Sequence, residues 1–201
     1  MSGIVAQNVG RRSGLIKTVA AGGEWTLIST QTASASATIS FTSGLDSTYD
    51  EYCFKFINIH AEDNSAQINM NFSIDGGSNY NVAKTTTTFR VTHGEDDGSV
   101  AFAYHDSFDL AQGTGAQRIT NSVDGSNNAD SNASGYLYLF APGDTTFVKH
   151  FITQLSSEDG AISYSQNTAG YGNTTSAVDA IQFAFTSGNI DAGTISLYGI
   201  G

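Results

Sequence analysis

Across 201 residues there is one cysteine, Cys53, and one proline, Pro142. A lone thiol closes no intrachain disulfide, so the fold has to stand on packing alone. Cys53 sits in an apolar alternating run, where a buried and inert thiol is the expected state. Charge is scarce too: only 13% of residues are Asp, Glu, Lys or Arg. Lysine and arginine together number 8, too few to clothe the exposed faces of many helices. No apolar run approaches the roughly 18 residues of a membrane-spanning helix. The first residues lack an apolar stretch long enough for a secretion signal, so synthesis in a cytoplasm without the usual export is expected.

The charge that is present is unbalanced. The net value is −11, yet residues 1–23 carry Arg11, Arg12 and Lys17 and no acid. All 19 acidic residues lie beyond them. An acidic body repels the phosphate backbone, which argues against a nucleic-acid partner. Acidity of this kind serves solubility, while the basic segment is free to meet an acidic neighbour.

Glycine, at 22 residues, and abundant Ser, Thr and Asn replace the missing helix formers. They favour short strands joined by turns. Residues 1–23 form an arm by themselves, since five glycines break any helical period. Ile4, Val5, Leu15 and Ile16 are apolar anchors too few for a core, so the arm drapes over its own domain or binds another subunit. From Glu24 onward the period is two. Strands are expected over 24–30, 35–42, 51–60, 66–74 and 82–92, then around Val100–Tyr104. Others follow over 135–141, 145–155, 162–171, 179–186 and 194–200. In the third, Tyr52, Phe54 and Phe56 share one face and Cys53, Ile57 and Ile59 the other. Asp75-Gly76-Gly77 reads as a hairpin turn returning into Val82–Thr92. Residues 106–120 are ambiguous, and 121–135 read as a polar loop. With about nine or ten strands expected from these eleven segments and no helix or linker, the fold class is all-β. The expected architecture is one antiparallel two-sheet sandwich over 24–201, jelly-roll-like, with an extended N-terminal arm over 1–23.

No constellation of catalytic residues stands out. His60, His93, His105 and His150 are scattered, without metal-ligand spacing. His105-Asp106 with a serine makes a triad only if geometry assembles it. The acids Asp46, Asp50 and Glu51, and Glu95, Asp96 and Asp97, form two clusters. A glycosidase needs such groups facing each other across a cleft, whereas solvated turn acids need nothing. Asp124, Ser126, Asn128 and Asp130 faintly resemble a calcium loop, but the closing acid is replaced by Gly135. Neither metal nor cofactor is expected, and no enzymatic activity. Aromatics at alternate strand positions are ordinarily core; Tyr104, Tyr136 and Tyr138 are the three candidates for a glycan-facing surface.

Several short segments resemble small structural proteins of marine and cyanobacterial tailed bacteriophages. They are Ser2-Gly3-Ile4-Val5 with Gly10–Lys17, Tyr49–Tyr52 with Phe56–Ile59, and Phe72–Gly77. Ala180–Phe185 and Gly193–Gly199 complete the set. The resemblance implies a non-catalytic virion protein at the particle surface, made in the host cytoplasm. The expected role is a capsid decoration or head-fibre module, with a tail-associated fibre or adhesin binding host glycan as the alternative. Its partners would be other virion proteins and copies of itself, a homotrimer being expected from local particle symmetry. The arm would dock through Ile4, Val5, Arg11, Arg12, Leu15, Ile16 and Lys17.

Overall fold

A computed structural model describes residues 23–125 and 130–201. The arm residues Ile4, Val5, Arg11, Arg12, Leu15, Ile16 and Lys17 lie outside the described residues. The rest is all-β and antiparallel. In chain order the strands are β1 (Trp25–Thr32), β2 (Ile39–Phe41), β3 (Glu51–Ala61), β4 (Ile68–Ser73), β5 (Lys84–Gly94) and β6 (Ala101–Tyr104). They continue with β7 (Gln117–Arg118), β8 (Ala133–Phe140), β9 (Lys149–Glu158), β10 (Ile162–Gly172), β11 (Ala180–Phe185) and β12 (Ile190–Ile200). A single 3-10 turn covers Asp106–Phe108. No helix among the described residues is long and apolar enough to cross a membrane.

The strands form an eight-stranded sheet, β1-β12-β3-β8-β9-β10-β5-β6, facing a four-stranded sheet, β2-β11-β4-β7. Eight of them nest in pairs: β1 with β12, β2 with β11, β3 with β8 and β4 with β7. That is one long hairpin rolled around itself, the jelly-roll plan. The remaining four strands enter as two insertions, β5-β6 after β4 and β9-β10 after β8. They pair with each other through β10 and β5 and widen one sheet beyond the roll.

Between the sheets of the roll lies an aromatic core. Phe183 of β11 meets Phe54 and Phe56 of β3 edge-on, with ring centroids 5.4 and 5.0 Å apart. Phe41 of β2 joins them, and Phe72 of β4 packs on Phe151 of β9. These edge-to-face contacts add to the large area each ring buries. Under the widened half the interior turns polar: Thr86, Thr88, Thr168 and Gln166 are buried, and Thr86 donates to Gln117 of β7 at 2.7 Å.

Several expectations are corrected. Asp75-Gly76-Gly77 does turn with positive φ at both glycines. It does not return β5 alongside β4, because β11 and β7 occupy both edges of β4 and the chain crosses to the opposite sheet. Ile59 is not on the face of Cys53. Asn58 adopts φ +51°, the register shifts between Phe56 and Ile59, and Ile59 turns into the core while Ile57 stays exposed. Phe147 lies in the turn before β9 and is 70% exposed. The ambiguous 106–120 segment supplies β7 and the buried Ile119. In the polar loop, Val123 is buried and bridges Ala66.

Candidate functional site

Alternation along β8 sends Leu137 and Leu139 into the core and leaves Tyr136 and Tyr138 on the outer face of the large sheet. The same rule acts on each neighbour. In β9, Ile152 and Gln154 point outward between Phe151, Thr153 and Leu155. In β10, Asn167 and Ala169 flank the buried Thr168, and in β5, Thr87 and Phe89 flank the buried Thr88. Pairing then aligns them into rungs. One rung reads Tyr136, Gln154, Asn167, Phe89, Tyr104 across five strands. The next reads Tyr138, Ile152, Ala169, Thr87.

These two rungs border a groove of about 390 Å³. Tyr136 and Tyr138 stand on one side of it and Phe89 on the other. Ile152 and Ala169 lie between, beside the amides of Gln154 and Asn167. Tyr136 donates its hydroxyl hydrogen to Oε1 of Gln154 at 2.6 Å, and the Gln154 NH2 makes no hydrogen bond among the described residues. Asn167 makes no side-chain hydrogen bond among the described residues. No charged residue lines this groove. A second hollow of about 380 Å³ continues it toward Phe140, His150 and Tyr171, sharing Ile152 and Ala169.

Aromatic rings extend past the groove on both sides. Tyr138 meets Tyr136 at 5.2 Å and Trp25 at 6.3 Å, and Trp25 meets Tyr198 at 5.5 Å. Nζ of Lys55 sits 5.4 Å from the Trp25 ring, a cation–π contact. Toward the far edge, Phe89 packs on Phe102, which is 74% exposed. Tyr104 lies beyond Phe89, and its hydroxyl donates to Asp109, a bond that raises its pKa. Of the three tyrosines singled out from sequence, Tyr136 and Tyr138 therefore share the groove and Tyr104 flanks it. Phe89, Gln154 and Asn167 were not anticipated. Alternation alone marks them as outward-facing, but only strand order makes them neighbours.

Among the described residues the chemistry-bearing groups do not converge elsewhere. Tyr52, Leu139, Phe151, Gly170 and Thr86 form one rung, placing Asp46, Asp50 and Glu51 near that end of the sheet. Glu95–Asp97 follow the opposite end of β5, about 30 Å along the strand direction. Asp46 accepts from Thr48 N and from the Tyr52 hydroxyl, bonds that lower its pKa. His105 packs against Phe108 at 4.1 Å, and burial, then Arg90, depress its pKa. Its Nδ1 is buried without a partner, so Asp106 does not engage that nitrogen as the acid of a triad would. His93 meets Asp97 at 3.2 Å, His60 meets Asp191 at 3.6 Å, and His150 lies on the outer face against Tyr171. Among the described residues no three of His, Cys, Asp or Glu gather as metal ligands. Asp124 accepts the Ser65 backbone N–H, and Ser126 and Asn128 lie outside the described residues.

Comparison with family models, with curated proteins and with solved structures finds no match.

Proposed function

We propose that this chain is a non-enzymatic structural protein of a tailed bacteriophage particle. It acts as a surface module, a capsid decoration or head-fibre unit, made in the host cytoplasm and carried on the virion. One observation carries the reading. Most of the large exposed apolar side chains lie on strands of the large sheet; Ile74, Val100 and Phe147, in the connecting segments, are the exceptions. Those on the sheet run from Trp25 and Leu27 on β1 to Phe89, Val91, Phe102 and Tyr104 on β5 and β6. Monomeric soluble proteins rarely leave so continuous an apolar surface uncovered, so this face is built for contact. Among the described residues, twelve strands and an aromatic core support this face.

The phage assignment draws on the segments that resemble tailed-phage structural proteins. Those among the described residues fall on β3, on β4 and its turn, and on β11 and β12. All belong to the rolled core and none to the two insertions. In this reading the module is a homotrimer, and the basic arm docks it on an acidic neighbour. Gly23, just before β1, donates from N to Gly201 O at 2.5 Å, at the β1 edge of the large sheet.

Quantitative mass spectrometry and immunogold labelling of purified particles test this. Dozens to hundreds of copies on the head are expected, whereas roughly six to eighteen at the tail would indicate a fibre instead. Absence from purified particles overturns the proposal.

A further inference from the structure

We infer that the groove between β8 and β5 binds an uncharged carbohydrate chain, lying lengthwise over β9 and β10. This goes beyond the particle role and does not depend on it. Sugars offer two kinds of surface at once: an apolar face of C–H groups and a rim of hydroxyls. The groove matches both. Tyr136 and Tyr138 on one side and Phe89 on the other provide ring faces and edges for the C–H surface. Between them, the amides of Gln154 and Asn167 stand side by side on paired strands. Each amide both donates and accepts, which is what a hydroxyl requires. The Tyr136 hydroxyl holds Gln154 by its oxygen, so the free NH2 is prepared to donate.

A purely apolar partner would strand these amides. Asn167 in particular would be buried with no partner, its lost hydration uncompensated. Charge decides the class of sugar. The groove contains no cation to pair with a uronate, sialate or sulfate. The surrounding chain is acidic, with 19 Asp and Glu in the whole sequence and only 8 Lys and Arg, so an anionic glycan is repelled.

Length decides that the ligand is a chain. The second hollow continues the first past Ile152 and Ala169 to His150 and Tyr171. From Gln154 to His150 is four residues along β9, about 13 Å at strand rise, longer than one sugar ring. Each hollow taken alone is already at the lower end of the volume range of small-molecule sites, about 300–1,000 Å³.

The full-length protein is titrated by calorimetry and NMR with neutral gluco-, manno-, galacto- and N-acetylglucosamine hexasaccharides. Oligo-uronate and sulfated hexamers serve as charged comparators. At least one neutral hexamer is expected to bind more tightly than its own monosaccharide and than either charged comparator. Tyr136→Ala and Asn167→Ala should each weaken it about tenfold or more. Both sites are on the surface, and an unchanged melting temperature separates lost contact from lost fold. Gln154→Ala, which also frees the Tyr136 hydroxyl, provides a second test. The inference is overturned if no neutral hexamer binds at up to about 10 mM, if charged glycans bind better, or if binding survives Tyr136→Ala and Asn167→Ala together. Concentration-dependent self-association abolished by Phe89→Ser would likewise overturn it, by showing that a second copy occupies the groove. None of these results bears on whether the protein is found on particles.

Discussion

Lys84 and Lys149 face inward on either side of the same glycine. Gly172 of β10 pairs with Lys84 of β5 on one side and with Lys149 of β9 on the other, and both lysines are buried. Lys84 donates from Nζ to Oδ1 of Asn71 at 2.5 Å and to the Val82 carbonyl at 2.8 Å. Lys149 donates to the Phe147 carbonyl at 2.5 Å. Neither forms an ion pair with a carboxylate among the described residues. A bare glycine between them makes room for Val82 and Phe72, which a methyl group at Gly172 would meet at 3.3 and 3.4 Å.

Burial without a counter-charge pushes the Lys84 pKa down to about 8. The unfolded chain keeps its lysine protonated to about pH 10.4. Between these values the unfolded state holds the extra proton, so Lys84 makes stability rise with pH. Cys53 and Tyr164 act in the opposite sense, their pKa values being raised by burial. Comparison with Lys84→Met isolates the lysine. Urea denaturation at a series of pH values should show wild-type stability gaining on the variant from about pH 8 to 10.4, by a total of about 3 kcal/mol. A difference independent of pH would mean that the amine is not desolvated.

Phe183→Ala should cost about 3–5 kcal/mol, because its ring touches Phe41, Phe54 and Phe56 and little can collapse into the space. Phe147→Ala, at an exposed ring, should change stability by no more than about 0.5 kcal/mol. Denaturant midpoints measure both. Equal losses would place Phe147 in the core.

The Cys53 thiol is fully buried, and burial raises its pKa to about 11. Thiolate is the reactive form, so the native protein should resist maleimide at mildly alkaline pH and react fully once unfolded in urea. Rapid labelling of the native state would contradict the outer face seen around Tyr138.

A chain lacking residues 2–17 should keep its circular dichroism spectrum and melting temperature, since the nested strand pairs all lie beyond that segment. In a competition against the full-length chain during assembly, it should be missing from purified particles. Equal incorporation of both forms would remove the docking role from Arg11, Arg12, Lys17 and their apolar neighbours.

Much of the sandwich can be read from alternation. Ile68, Met70 and Phe72, then Ile181, Phe183 and Phe185, and Ile195 with Leu197 all point inward as period two predicts. Alternation fails where a single residue resets it, as Asn58 does for Ile59, because one left-handed residue inverts the face of everything after it. It also does not say which strand returns beside which. The Asp75-Gly76-Gly77 turn has the local geometry expected, but competition for the edges of β4 sends β5 away.

Local side-chain chemistry by itself determined that this chain makes strands, which residues within each strand share a face, and that tyrosines at 136 and 138 alternate with leucines. Those features depend on backbone pleat and on nearest neighbours, so they survive without knowledge of the rest. Tertiary structure decided that Tyr136, Gln154, Asn167 and Phe89 occupy one rung. Their sequence separations run to dozens of residues, and only the closing of two insertions onto the edge of the roll brings them within reach of one ligand.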